Sequence, residues 1–427
     1  FPGGPFGHMV YRAFLVTSDA VRDAGMSNAF PKWFVPPPDS VAVLERNFFH
    51  RDWLIPIALV GFTMITGFLQ RYTLGYFFFR IASDIENLPF PLAPISAQGA
   101  TAMAEMDEKT DEADQLRSQQ TAGLARKEFK RTGSPRWRQF SLGVTLGAAF
   151  GVIQVGVPAI TGLFLDKPVF LIPQPFIETT PLTESILPAT PTGVSLDLGI
   201  ILIGMVLPFW AVVGTFAAIV LTVLLNPVLH STGVLTHWQP GMDTVNTLFA
   251  NRMDFWLSFT IGASLGLAVV SIFSAVRDVS RKMEELRKVR KDAGRKGLWD
   301  PPVEGRGDYP LWLALVIYVV ATGAITALCH VLVPEVPVTF LIILGFLYMP
   351  FIAYLNARMM GIAGQRVDIP FIKESAFIAS RAKGIHIWMA PIPLDNHGAM
   401  AQSFRVNELI GVKFLSMIKA DLVAIPI

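Results

Sequence analysis

Five apolar runs without a single Asp, Glu, Lys or Arg dominate the chain: Phe140 to Leu165, Leu198 to Leu229, Phe255 to Val276, Leu311 to Pro334 and Val336 to Ala357. A helix rises about 1.5 Å per residue, so about 20 such residues cross a hydrocarbon layer of roughly 30 Å. Five runs of that size exceed what a soluble core needs. The pattern predicts an all-α, polytopic transmembrane helix bundle in a cell membrane. Trp53–Gln70 adds a first span, with Phe79 as its furthest limit. Leu88–Ala104 is apolar too, but it carries Pro89, Pro91, Pro94 and Gly99. It cannot be one straight helix and reads as a broken or re-entrant element.

Charge between the runs sets an expected orientation. Glu105–Arg138 holds eight basic and seven acidic residues, and Arg277–Arg306 ten basic and six acidic. Asp166–Asp197 has one Lys against four acids and six prolines. Lys and Arg concentrate on the cytoplasmic side, which assigns the two charged loops and Arg358–Lys383 inside and the Pro-rich loop outside. That assignment meets a parity conflict. Two plain crossings after Asp197 would place the ten-cation loop outside. The conflict vanishes if 198–229 enters and returns, or if 227–254 dips into the membrane. Either solution puts irregular backbone at depth, which is tolerated only inside protein or along an aqueous cavity. The expected organisation is a mixed segment over 1–52, a first helix group over 53–276 with its loop at 105–138, the basic loop 277–306, and a second group over 307–427. The chain opens on Phe1 and closes with Phe414–Ile427, too short to cross; both ends read as cuts in a longer protein.

Composition narrows the function classes. The chain is 52% hydrophobic and 16% charged, and no basic stripe carries interleaved aromatics, which argues against nucleic acid. Cys329 is the single cysteine, so no disulfide within the chain forms and no cysteine-based metal site is expected. His230 and His237 lack the spacing of a helical metal pair. Gly143, Gly147 and Gly151 fit close helix packing. No phosphate-cradling Gly-Lys-Thr loop, HExxH, nucleophile elbow or haem motif occurs, so neither an enzyme nor a bound cofactor is expected.

Ionisable groups at membrane depth are costly and usually functional. Gly384–Gly411 is too polar to span and too apolar for an ordinary loop, and it contains Pro391, Pro393 and the cluster Asp395-Asn396-His397. Asp395, His397 and Glu408 are the proton-coupling candidates. Gln98, Thr101, Asn396 and Gln402 are the candidate solute contacts. An Asx-type turn or cap is an equal alternative for the cluster, and an interfacial Arg405–Glu408 pair is the favoured alternative for Glu408. Pro89-Phe90-Pro91-Leu92 and Pro391-Ile392-Pro393-Leu394 echo one another, each followed by a small-residue stretch. As a repeat, they would mark matching broken elements in two inverted halves.

The stretches Asn87–Pro94 with Ala97–Glu105, and Ala390–Asn396, resemble the oligopeptide transporter superfamily, especially its prokaryotic members. Gly241-Met242-Asp243 leading into Phe255–Gly262 is similar to another part of such sequences. The resemblance implies two inverted halves and proton-driven uptake of short peptides or metal-chelate solutes. It also implies that this chain lacks the end of the second half. The alternative is a non-transporting membrane scaffold in a larger complex or a homo-oligomer. A solvent-filled cavity reaching Asp395 at mid-depth would favour transport over the scaffold.

Overall fold

A computed structural model of the chain describes residues 4–103, 135–270, 273, 274, 277 and 305–424. The expected charged loops 105–138 and 277–306 lie almost wholly outside the described residues. The described residues form an all-α bundle with no strand beyond one isolated bridge, Ile177 with Val194. Among the described residues, six helices are long and apolar enough to cross a membrane: Arg51–Ile85 (α1), Arg138–Phe164 (α2), Phe209–Ser231 (α4), Thr244–Val270 (α5), Leu311–Leu332 (α6) and Val338–Ala363 (α7). A nine-residue helix, Leu198–Val206 (α3), precedes α4. The chain after α7 is broken into Ile372–Ser380 (α8), Ile385–Met389 (α9), Met400–Leu409 (α10) and Phe414–Ala424 (α11). This architecture is that of a membrane-embedded protein.

Polar contacts orient every element between two ends of the bundle. At the charged end, Arg306 donates to Asp84 (3.0 Å), Asp308 (2.8 Å) and Glu408 (2.8 Å). Arg80 pairs with Asp84, Arg405 donates to Glu408 at 2.6 Å, and Tyr76 donates to Asp308 at 2.7 Å. Beside them Glu86 accepts from Arg358 at 2.7 Å and Tyr354 at 2.6 Å. The Arg306 guanidinium lies 5.3 Å from the rings of both Phe79 and Phe414. The opposite, hairpin end is the tight turn at Glu335 between α6 and α7. Trp53 starts α1 there, packed with Val16, Phe34, Val35 and Met389 from the flanking chain.

The helix α1 therefore runs from the hairpin end to the charged end, and α6 returns beside it. Their pairing is the most extensive helix contact, stitched near both midpoints by Gln70 donating to Thr322 at 3.0 Å. α7 comes back to Arg358, whose guanidinium donates to Ser274 at 3.0 Å. The chain leaving α5 is thus at the charged end, and Thr244 at the hairpin end. Thr244 bonds Thr180 and Glu178, Gly241 donates to Glu184, and Asn251 donates to the Ala189 carbonyl. The segments 176–194 and 232–244 consequently sit together at the hairpin end.

Between those segments the chain runs toward the charged end and back. α3 spans only about 13.5 Å and stops at Leu207, whose ψ of 150° is the extended state that the following Pro208 imposes. Leu207 reaches the charged end of α7, within 3.6 Å of a Cβ placed on Gly364. α4 then carries the chain back to the hairpin end. Three elements over 198–270 therefore end where two plain crossings could not.

Two other expectations change. The segment 88–105 does not break within the bundle. Asn87 and Phe90 adopt positive φ, Phe90 N–H donates to the Gly361 carbonyl at 2.8 Å, and a helix over 93–103 follows. Its prolines build a turn docked on the charged end of α7. The Arg358–Lys383 stretch is not one loop either. Val367 exchanges two hydrogen bonds with Asn356, Ile369 packs on Ile352, and Phe377 reaches Cys329 and Val333 near the hairpin end. The chain runs back along α7 in extended form.

The arrangement makes two measurable statements. In a Cys329→Ser background, cysteines at Glu184 and Gly241 should react with an impermeant reagent from the same side of the membrane, and a cysteine at Arg366 from the other; labelling of 184 and 241 from opposite sides would break the enter-and-return path. Arg306→Met should cost about 3–5 kcal/mol of stability by leaving carboxylates uncompensated, and Arg306→Lys less, because the charge survives without the fork. Thermal melts in detergent decide this, and a wild-type melt for Arg306→Met would remove Arg306 as the clamp.

Candidate functional site

The second broken element does cross the bundle. α9 lies at the hairpin end, where His386 approaches Glu335 at 3.4 Å and Ile387 packs with Cys329 and Val333. α10 ends at Glu408 in the charged network. Residues 390–399 cover the middle without regular helix, because Pro391 and Pro393 have no N–H to donate to one. The gap is packed by close approach. A Cβ on Gly345 would stand 2.8 Å from Thr322 and 3.3 Å from Pro393, and one on Gly398 only 2.1 Å from the Ala353 carbonyl oxygen. Gly345 belongs to a π-helical turn of α7, Ile343–Tyr348, and its carbonyl accepts from Tyr318.

This breach opens a cavity of about 310 Å³ lined by Thr63, Thr66 and Gln70 of α1, Ile325 of α6, Lys373 of α8 and the segment 390–395. Gln70 and the adjoining Thr322 sit close to the middle of their helices, so the cavity lies near half depth. A larger groove of about 600 Å³ runs along the flank between Gln154 of α2 and the loop residues Pro173 and Asp197. It has no Lys, Arg or His on its walls, so the mid-depth cavity, which carries both Lys373 and Asp395, is the better chemical site.

Asp395 is the carboxylate of the cavity. Its side chain lines that space and is exposed to it. It has no hydrogen-bond or ion-pair partner among the described residues. Lys373 faces the same cavity, donates to the Trp388 carbonyl at 2.7 Å and lies 5.7 Å from the Phe377 ring. The two opposite charges do not form an ion pair.

The remaining candidates fall in different places. His397 is not among the residues that line the cavity. Its Nε2 is buried without a partner, as is Oε1 of Gln402 on α10. Asn396 donates to Asp368 at 3.0 Å and accepts from Gly398 N–H at 3.2 Å, the Asx turn weighed above. Glu408 is held by Arg306 and Arg405 at the charged end. Gln98 is exposed on the 93–103 helix, and the Thr101 hydroxyl donates to the Ala97 carbonyl at 2.6 Å. Neither Gln98 nor Thr101 reaches the cavity, because the turn at 87–92 docks their helix at the charged end.

Sequence reasoning missed Lys373, Gln70, Thr63 and Thr66. Gln70 was legible as an amide within the first span. Lys373 was hidden by its place in a stretch counted as one loop. Among the described residues no cluster of three or more His, Cys, Asp or Glu is placed to hold a metal ion. Comparison with family models, with curated proteins and with solved structures finds no match to this chain.

Proposed function

We propose that the chain is the membrane-embedded body of a secondary transporter in the cell membrane, of the kind its sequence resembles in the oligopeptide transporter superfamily. Its solutes are short peptides or metal-chelate-like compounds, and protons drive their uptake. The reading is carried by one observation: a broken crossing at mid-depth exposes an unpartnered carboxylate, Asp395, to a half-open cavity between the helices. Irregular backbone at that depth is stable only when packed in protein or lining an aqueous space, and both conditions hold here.

Asp395 has the properties a coupling group needs. A carboxylate bound to no cation or donor can gain and lose its proton without breaking a structural contact. His397 does not line the cavity and Glu408 is engaged by two guanidiniums, so of the three candidates Asp395 carries the coupling role. Gln70, Thr63 and Thr66 supply neutral hydrogen-bonding groups to the solute. The scaffold alternative draws on the bare apolar faces of α2 and α4, but lipid covers such faces equally well. A scaffold also has no use for an uncompensated carboxylate in a cavity.

Reconstituted in liposomes, the wild type should accumulate solute under an inward proton gradient, and Asp395→Asn should fall to the level of empty liposomes while keeping its melting temperature. Proton-driven uptake that survives in Asp395→Asn would end the coupling role.

A further inference from the structure

Lys373 is the second residue of α8, near the positive end of that helix's dipole. An ammonium has three N–H donors, and Trp388 O accepts one of them at 2.7 Å. No carboxylate lies within ion-pair distance of its Nζ among the described residues. The neighbouring wall is apolar: Phe377 offers its ring at 5.7 Å, Ile325 lines the cavity, and Cys329 is buried on the next turn of α6. The Phe377 ring holds the cation in place without neutralising it. Glu374, the next residue, acts on this cation only through space, and the protein offers Asp395 on the same cavity without closing a pair. The space between them is where a counter-ion belongs.

We propose that Lys373 anchors an anionic group, a carboxylate, of the solute that occupies this cavity; the assignment rests on the cavity being the transport site. The anion takes the two free N–H donors of Nζ, while the bond to Trp388 O fixes the ammonium to the broken crossing. Solute binding is thereby transmitted to the segment that carries Asp395. Opposite charges held apart on one cavity also favour solutes whose own charges are separated over orphan monovalent ions.

The test uses the full chain in nanodiscs, with glycylglycine and glycylglycinamide as probes that match in size and differ in the carboxylate. Proton-driven uptake in liposomes is read separately. Wild type should bind the acid more tightly than the amide. K373Q should lose that preference, its affinity for glycylglycine falling about ten- to hundredfold, and K373R should restore most of it. The melting temperature of unliganded K373Q reports the structural bond to Trp388. Undiminished affinity for glycylglycine in K373Q overturns the anchor and leaves transport through the cavity standing. Equal binding of acid and amide by the wild type overturns it too, and that comparison needs no variant to fold. Retained acid preference in a wild type that shows no proton-driven uptake supports the anchor and removes the transport reading instead.

Discussion

The structure depends on how ten residues, 390–399, pass through the middle of an apolar bundle without a helix. Unpaired N–H and C=O groups at such depth cost several kcal/mol each, so this passage is possible only if its polar groups are answered locally. Pro391 and Pro393 remove two donors outright. Ile392 N–H finds the Ala390 carbonyl, Gly398 N–H the Asn396 side chain and Met400 N–H the His397 carbonyl. Backbone then meets backbone closely, at Gly398 against α7 and at Gly345 against Pro393. Any side chain at either glycine would push the crossing outward and collapse or flood the cavity that its departure from helix creates.

The charged end serves as the fixed point for that passage. Arg306 contacts carboxylates from three separate parts of the chain, Asp84 at the end of α1, Asp308 before α6 and Glu408 at the end of α10. Counting Arg80 and Arg405 with it, three guanidiniums face three carboxylates, so the cluster is buried without net charge. Pairing of this kind adds little net stability over an apolar core but is costly to break on one side. It therefore fixes register: α10 cannot slide along α1 without stranding Glu408. At the other end the crossing is held more lightly, by a His386–Glu335 approach of 3.4 Å between partly exposed groups. The broken segment is anchored firmly at one end and loosely at the other, an asymmetry suited to a part that moves.

Much of this was legible in the residues, and the failures have physical causes. Uncharged runs of about 20 residues admit few alternatives, so the spans are evident from Phe140 onward. The enter-and-return of 198–231 followed from charge parity and from Pro208, which forces Leu207 out of helix. Pro391 and Pro393 marked the broken crossing correctly. The same Pro-x-Pro pattern at 89–91 gave a surface turn, because prolines say only that helix stops and not at what depth. Depth there was set by a long-range contact, Phe90 on Gly361, which local sequence does not encode. Lys373 was lost for a related reason. Loop charge counting assumes that basic residues between spans stay on one side, whereas 364–372 returns along α7 in extended form and carries no apolar run to betray it.

The distribution of burial ties these points together. Within the most apolar windows, 39% of α6 and of α7 and 28% of α1 is buried inside the protein, against 0% for α2, 6% for α4 and 11% for α5. The polar groups of the cavity fall on α1, on α8 and on the broken segment that packs with them. Helices that merely border lipid need no protein contact on most faces, since hydrocarbon satisfies them. Helices that must hold Gln70, Asp395 and Lys373 away from lipid need neighbours on several sides. The deep packing of α1 and α6 accordingly goes with the polar cavity they line, and that of α7 with the close approach of the broken segment at Gly345 and Gly398, whereas the exposed trio lines no part of that cavity.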